Sequence, residues 1–237
     1  MVKGRFNNNN HMPIKTKKPQ KKLTLASRID QTNIDLKANL LDIKKTCDEV
    51  KKYGFRGICV NPQWVAAAKN ELKDTPAKVI CLVDAPIGDS SHEERMQMCL
   101  TAQVNGADEL DVVASLPDIK HDRWEDLYKN LAQICKIMPV KVIIGSGYLT
   151  DKEIAMVSRL VKQAGAICVK TATSKDPLEE RELKEKSWHL EIMKKNAPGL
   201  LIKASGNIKD VKEAKAYVRA GADIIGTSNG PKIARGE

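Results

Sequence analysis

Two lysines stand at the ends of short apolar segments, where a buried strand is expected to carry no charge. Lys170 ends the segment AICVK, and Lys203 follows three apolar residues in LLIKA. A charge at such a place needs a partner, access to solvent or a chemical purpose. Asp111, in the apolar segment ELDVVA, offers a carboxylate of the opposite sign. These three residues in matching positions indicate a site where a lysine does chemistry, the alternative being that each lysine is a solvated strand end.

A lysine amine attacks a carbonyl carbon only when it is unprotonated, so its ordinary pKa of about 10.4 must fall by several units. Burial and a neighbouring cation both lower the pKa of an amine. One lysine of the pair is therefore predicted to be the nucleophile of Schiff-base chemistry, and the other to keep that amine neutral. A carboxylate such as Asp111 can move the protons that carbinolamine dehydration and enamine formation require.

Eight short apolar segments alternate along the chain with seven longer segments of helical periodicity. The predicted strands are 26–30, 56–60, 78–83, 109–114, 140–144, 166–170, 200–204 and 223–227. The predicted helices are 36–53, 62–73, 90–105, 122–137, 150–164, 178–196 and 209–220. This alternation predicts a parallel sheet, and eight strands favour a closed (β/α)8 TIM barrel of the α/β class. A doubly wound open sheet is the alternative, but no GxGxxG motif follows the first strand.

Local signals at the predicted helix ends agree with this alternation. Thr150, followed three residues later by Glu153, has the pattern of a capping box at a helix start. A glycine is predicted to cap the helix that precedes the second, fourth, sixth and eighth strands. These glycines are Gly54, Gly106, Gly165 and Gly221. The chain stops soon after the eighth strand, so the last helix is expected to be short or missing.

The formal net charge of +10 is concentrated in one part of the chain. Residues 1–22 carry seven basic residues and no acidic one, which leaves +3 for residues 23–237. We expect residues 1–22 to be a disordered leader or an added tail, and residues 23–237 to form one barrel domain. The barrel has no clustered basic stretch, so nucleic acid is not predicted as a partner. A basic tail that contacts acidic partners is the alternative.

Composition also bears on compartment and cofactors. No apolar run approaches the roughly 18 residues that span a membrane, and no secretory signal is visible. The six cysteines are scattered and form no CxxC pair, which favours reduced thiols in a cytoplasmic protein. The four histidines share no ligand spacing, so no metal or other cofactor is predicted, and all four, His189 included, are expected to face solvent. Membrane binding is not predicted, and a homodimer stays open.

Seven segments, spread in order over nearly all of residues 27–230, resemble the deoxyribose-phosphate aldolases, class I aldolases of the (β/α)8 type. They are IDQT (29–32), YGFRGICVNP (53–62), GADELDVV (106–113), VKVIIGSGYLT (140–150), AICVKTATSK (166–175), LIKASGNIKD (201–210) and ADIIGTSNG (222–230). The resemblance implies that Lys170 forms a Schiff base with acetaldehyde, that Lys203 perturbs its pKa and that Asp111 relays protons. It implies reversible cleavage of 2-deoxy-D-ribose 5-phosphate to acetaldehyde and D-glyceraldehyde 3-phosphate, with small phosphorylated sugars and aldehydes as partners.

The loops after the seventh and eighth predicted strands are rich in small residues. They read ASGN (204–207) and GTSNG (226–230), and Lys175 and Lys209 could add charge beside them. Such loops let backbone N–H groups approach an anion, and the phosphate sites of barrels are often built there. Ordinary turn chemistry is the alternative. Together with the resemblance, they predict a substrate site made of Asp30, Thr32, Thr173, Lys175, Ser205, Gly206, Asn207, Gly226, Thr227 and Ser228.

The chain departs from the family at several positions near the predicted mouth of the barrel. Gly145 stands where the family usually has a glutamate, and Gln31 where many members have a histidine or another residue. Further departures are Ser146 in the segment IIGSG, Ser174 and Asn207 in place of glycines, and Asp84-Ala85 in place of a more apolar pair. Two alternatives stay open: a Schiff-base barrel aldolase that acts on other aldehydes, and a catalytically inactive barrel that binds a phosphorylated sugar.

Overall fold

A computed structural model describes residues 24–173 and 183–237 of the chain. Within these residues eight parallel strands pair in chain order, and the last pairs with the first, so that the barrel closes. They are β1 Ile29–Asn33, β2 Gly57–Val60, β3 Lys78–Val83, β4 Glu109–Val113, β5 Val140–Ile143, β6 Cys168–Lys170, β7 Leu201–Ser205 and β8 Ile224–Thr227. The predicted (β/α)8 barrel is confirmed. The predicted leader, residues 1–22, lies outside the described residues.

Helices connect the strands and cover the outside of the barrel. They are α1 Leu40–Tyr53, α2 Val65–Leu72, α3 His92–Val104, α4 Leu116–Lys120, α5 Trp124–Ile134, α6 Asp151–Gln163, α7 Leu183–Asn196, α8 Val211–Arg219 and α9 Gly230–Ala234. Helix α9, which follows β8, has only five residues, in agreement with the expected short last helix. Helix α4, a short helix of five residues, was not predicted from the sequence. It begins after Ser115, whose side chain accepts a hydrogen bond from Asp118 N.

The predicted bounds of the first strand are wrong. Residues Ala26–Arg28 form a 3-10 turn, and β1 continues to Asn33. Its polar sequence, IDQTN, has a low intrinsic strand propensity, but β1 pairs with β8 on one side and with β2 on the other. Pairing on both sides therefore overrides local propensity in this strand.

The helix-end signals in the sequence are confirmed. Thr150 Oγ1 accepts from Glu153 N, and Thr150 N donates to Glu153 Oε2 at 2.7 Å, which completes the capping box of α6. The four glycines predicted to end helices all have positive φ, from 64° at Gly54 to 110° at Gly221. A side chain with a Cβ adopts this conformation only with strain, so these positions favour glycine.

The barrel interior is divided between apolar and charged side chains. Because successive strand residues point to opposite faces, Glu109, Asp111 and Val113 of β4 share the inner face. On one side, Val113 packs in a small buried cluster with Cys59, Ile80, Leu82 and Ile143. The larger core lies between the outer faces of the strands and the helices. Charge is thus confined to the remaining part of the barrel interior.

Helix α7 corrects one expectation about the histidines. His189 is buried, with 5% of its surface exposed, and is not solvent-facing. It shares one helical face with Lys186 and Met193, which are also buried and lie three and four residues away. In the described ranges, no helix combines the length and the apolar character that crossing a membrane requires.

Candidate active site

Asp111 is the centre of the charged part of the barrel. Its Oδ1 lies 2.7 Å from Lys141 Nζ, and its Oδ2 lies 2.8 Å from Lys170 Nζ and 2.9 Å from Lys203 Nζ. Strand register explains this convergence, because Asp111 is paired with Lys141 and Lys170 with Lys203. The structure therefore brings together Lys170, Lys203 and Asp111, the three residues that the sequence singled out.

A closed ring of alternating charges surrounds this centre. In order, it consists of Asp111, Lys203, Asp30, Arg56, Glu109 and Lys141, which returns to Asp111. The joining distances between nitrogen and oxygen run from 2.6 Å, for Lys203–Asp30, to 2.9 Å, for Arg56–Asp30. Three anions balance three cations in this ring. Lys170, attached to Asp111 from outside the ring, is therefore one positive charge in excess.

The members of the ring hold each other ionised. Burial alone would raise the pKa of the Asp111 carboxyl, but Lys141, Lys170 and Lys203 hold it well below its usual range. Burial alone would lower the pKa of the Lys203 amine, whereas Asp111 and Asp30 raise it. Burial opposes the ionised form of Asp30 as well, but Lys203, Lys141 and Arg56 together outweigh burial and lower the pKa of Asp30. Lys203 is thus a cation at neutral pH.

A cavity of about 750 Å³ opens at the carboxyl ends of the strands, above the ring. Among the seven charged residues, Lys170 lines this cavity, while Asp30, Asp111 and Lys203 are fully buried beneath it. Eight of the ten predicted substrate residues lie on the wall: Thr32, Thr173, Ser205, Gly206, Asn207, Gly226, Thr227 and Ser228. Asp30 is not on the wall, because its carboxylate is bound by Lys203 and Arg56. Ser174 and Lys175 lie outside the described residues.

Comparison with known proteins decides the family. The sequence pattern of the group described as DeoC/LacD family aldolase matches residues 23–235. The chain belongs to the DeoC/LacD family of aldolases. The deoxyribose-phosphate aldolase of Dictyoglomus turgidum is 34% identical over 216 residues, which cover 90% of this chain and 96% of the relative. The deoxyribose-phosphate aldolase of Thermococcus kodakarensis is 36% identical over 226 residues, which cover 91% of this chain and 97% of the relative.

Solved structures of aldolases resemble this aldolase over the same length. The aldolase QR15 superposes with a TM-score of 0.82 at 28% identity, covering 89% of this chain and 94% of its own. Deoxyribose phosphate aldolase from Aeropyrum pernix, described as a unique tetramer, superposes with a TM-score of 0.79 at 29% identity, covering 89% of each chain. The family and the enzyme class predicted from the sequence, an aldolase that acts as a lyase, are thereby confirmed.

Three members of the ring in this aldolase were not predicted from the sequence: Arg56, Glu109 and Lys141. For Lys141 a signal was present, because it stands inside the apolar segment VKVII as Lys170 stands in AICVK. Glu109 could have been found from its spacing, since it lies two residues before Asp111 and so shares its face of β4. Arg56 precedes β2, where a charged residue is common at a strand start, and nothing in the sequence marks it.

The departures from the family pattern fall in different places. Gln31 and Asn207 lie on the cavity wall, and Asn207 has a φ of 49°. Gly145 has a φ of 64° at the end of β5, and an added Cβ would lie 3.3 Å from the ring of Tyr148. Asp84 forms a buried ion pair with Arg95 at 3.1 Å. Asp84 therefore has a structural partner and, among the described residues, is not part of the cavity wall.

The charge ring predicts how the free energy of unfolding of this aldolase depends on pH. Asp30, Glu109 and Asp111 have lowered pKa values, so their contribution is complete above about pH 5 and is lost as pH falls through the folded pKa values. Lys203 has a raised pKa, so its contribution is complete below about pH 9 and is lost as pH rises through its folded value. We expect urea titrations to show a plateau between these limits and a steep acid loss.

A variant tests whether the ring causes that acid loss. Glu109→Gln removes one carboxylate that binds a proton on unfolding. Between pH 4 and 3, the free energy of unfolding of this variant should therefore fall less steeply than that of the parent, by up to about 1.4 kcal/mol per pH unit. The control is Glu125→Gln, which removes the exposed partner of Lys129 and should change the slope much less. Equal slopes in the parent and in Glu109→Gln would contradict the prediction.

Proposed function

We propose that this aldolase cleaves 2-deoxy-D-ribose 5-phosphate reversibly to acetaldehyde and D-glyceraldehyde 3-phosphate, with Lys170 as the Schiff-base residue. One observation carries the assignment of Lys170. Of the three lysines bound to Asp111, it is the one that lines the cavity, while the ring beneath it is already balanced in charge. Loss of a proton from Lys170 therefore leaves every buried carboxylate with cationic partners. A neutral amine at this place is the form that attacks a carbonyl carbon.

The reaction in the synthetic direction begins at this amine. Lys170 Nζ attacks the carbonyl carbon of acetaldehyde, and the resulting carbinolamine loses water to give an iminium ion. The methyl group of the iminium ion loses a proton, and the enamine so formed attacks the aldehyde carbon of D-glyceraldehyde 3-phosphate. Water then hydrolyses the new iminium ion and restores the amine. Cleavage runs through the same steps in reverse.

Asp111 and Lys203 are assigned to the proton transfers and to the charge of the site. Asp111 Oδ2 lies 2.8 Å from Lys170 Nζ, within reach for taking and returning a proton at the nitrogen. Its lowered pKa means that it is a carboxylate between these transfers. Lys203 touches the same oxygen at 2.9 Å and stays charged, so it places a second cation beside the reacting amine. This division of roles retains the one inferred from the sequence.

The phosphate of the substrate is assigned to the loops after β7 and β8. Gly206, which has a φ of 94°, and Gly226 both line the cavity on the side of these loops. An added Cβ at Gly226 would lie 2.9 Å from Lys203 Cε and from Ser205 Cβ, so glycine allows close packing of β7 and β8 where the two loops begin. Small residues at these places support backbone contact with an anion.

Imine trapping tests the assignment. Incubation with acetaldehyde and borohydride, followed by peptide mass mapping, should show that an ethyl group has replaced one hydrogen on Lys170 Nζ. Lys37 and Lys45 also line the cavity and serve as internal controls, which should stay unmodified. Modification of a control lysine instead of Lys170, or no modification, would overturn the proposal. The second result, together with tight binding of the phosphorylated sugar, would favour the inactive binding barrel.

A second candidate is a related aldolase reaction with another aldehyde. Gln31 and Asn207, two of the departures from the family pattern, lie on the cavity wall where an acceptor would bind. A panel of aldehyde acceptors, with and without phosphate, compared by kcat/KM separates the two candidates. The cytoplasmic location predicted from the sequence belongs to this proposal and stays a prediction, and the homodimer that the sequence left open stays open.

A further inference from the structure

Gln31 of β1 occupies the closure of the barrel, next to the loop that follows β8. It is paired in register with Thr227 of β8, lines the cavity and has 3% of its surface exposed. The β8 loop is defined here as residues 228–230, from the residue after β8 to the first residue of α9. Neither the charge ring nor the Schiff-base chemistry uses Gln31. Its side chain must therefore be explained by other contacts.

The amide of Gln31 is bound on both its nitrogen and its oxygen. Nε2 donates to Glu49 Oε2 at 2.9 Å and to the carbonyl oxygen of Ser228 at 3.2 Å. Oε1 accepts from Gly230 N at 3.0 Å. One side chain thus holds both ends of the β8 loop and joins them to Glu49 of α1.

The surroundings fix the orientation of this amide. The two groups beside Nε2 are acceptors without a proton, a carboxylate and a carbonyl oxygen, and the group beside Oε1 is a backbone donor. Turning the amide by 180° would place acceptor against acceptor and donor against donor. Space is also restricted, because a Cβ at Gly230 would lie 2.4 Å from Gln31 Oε1. The arrangement accepts neither a hydrocarbon nor a carboxylate at position 31 without losing contacts to the loop.

We propose that Gln31 is the positioning residue of the β8 loop and thereby sets the preference of this aldolase for a phosphorylated acceptor. The inference rests on the proposed function, in which the loops after β7 and β8 bind phosphate. Backbone groups bind an anion well only when their positions are fixed before the ligand arrives. Gln31 provides this by holding Ser228 and Gly230 through hydrogen bonds of its side-chain amide. The residue acts on the phosphate through the loop.

Gln31→Met is the first test, because methionine has nearly the same length and makes none of the three hydrogen bonds. The KM values of D-glyceraldehyde 3-phosphate and of D-glyceraldehyde as acceptors are measured in the synthetic reaction, with acetaldehyde as the donor. We expect the ratio of the two KM values to move about tenfold against the phosphorylated acceptor. The matched control is Asn33→Leu, which removes an amide on the same strand that donates to Thr46 Oγ1 of α1 at 3.1 Å. Its KM ratio should stay as in the parent.

Exchange of donor and acceptor gives a sharper test. Gln31→Glu places a carboxylate against Glu49 and the Ser228 carbonyl oxygen, so its KM ratio should change more than that of Gln31→Met. Adding Glu49→Gln to Gln31→Glu restores a donor between the two side chains and the original charge. The double variant should recover part of the KM ratio, because Gly230 N again has an acceptor in the loop contact while the carbonyl oxygen of Ser228 still lacks its donor. A purely structural role would instead alter both acceptors alike, and that result overturns the inference.

A binding measurement separates this inference from the proposed function. Inorganic phosphate is titrated into the parent and into Gln31→Met by calorimetry, which requires no turnover. Weaker binding of phosphate to the variant by about tenfold supports the inference. Equal binding to both proteins, with the parent preferring the phosphorylated acceptor, overturns the inference and leaves the proposed function standing. A parent that has no preference for the phosphorylated acceptor overturns both.

Discussion

Replacing Lys170 with methionine should lower kcat for cleavage of 2-deoxy-D-ribose 5-phosphate by at least about 10⁴-fold, because the proposed reaction requires a covalent nucleophile at this position. Methionine is unbranched and only one heavy atom shorter than lysine, and it leaves the charge ring of six residues intact and balanced. The fold should therefore persist, which circular dichroism can confirm. The release of acetaldehyde, coupled to its reduction by alcohol dehydrogenase, measures the rate.

Lys170→Arg separates the role of the charge from that of the nucleophile. Arginine keeps a cation beside Asp111 but cannot lose its proton at accessible pH, so this variant should be as inactive as Lys170→Met. The control is Lys120→Met, which removes a lysine that pairs with Glu153 away from the cavity. It should keep the parental rate. More than a tenth of the parental kcat in Lys170→Arg would show that the reaction does not need a neutral amine at this position.

The sequence was sufficient for the barrel because its signals are periodic and repeated. Apolar strands and amphipathic helices alternate along the chain, and glycine caps such as Gly54 and Gly221 mark the ends of helices. The first strand was misplaced because IDQTN is polar, and its strand conformation is imposed by pairing with β2 and β8. His189 was misjudged because the helical face that it occupies carries Lys186 as well as apolar residues.

The site was predicted in part, for a reason that lies in the closure of the barrel. Lys170 and Lys203 stood out because each interrupts an apolar segment that ends at the mouth. The partners of a buried charge depend on register between strands, as in the pairing of Asp111 with Lys141. A list of segments does not contain that register. Asp30 shows the same limit. Its position in the chain predicts that it belongs to the substrate site, but in the closed barrel its carboxylate is bound by Lys203 instead.

Replacing Lys203 with leucine should lower the rate at pH 7 about 100-fold and move the pH–rate profile upward by about one to two units. The ring would keep Asp30, Glu109 and Asp111 but only two of its cations, so that Lys170 becomes the charge that restores balance. Loss of its proton would then leave three carboxylates with only two cations, which opposes formation of the neutral amine that the reaction needs. A higher pH favours proton loss, so part of the rate should return on the alkaline side. A profile that stays in place or moves downward would contradict the prediction.

A double variant shows whether the balance of the whole ring or the single contact of Lys203 is responsible. Asp30→Asn combined with Lys203→Leu removes one anion and one cation that lie 2.6 Å apart. Two carboxylates then face Arg56, Lys141 and Lys170, so one positive charge is again in excess. If charge balance decides which amine loses its proton, the profile of the double variant should return toward that of the parent. If proximity of Lys203 to Lys170 decides, the double variant should resemble Lys203→Leu, because both lack the neighbouring cation on Asp111 Oδ2.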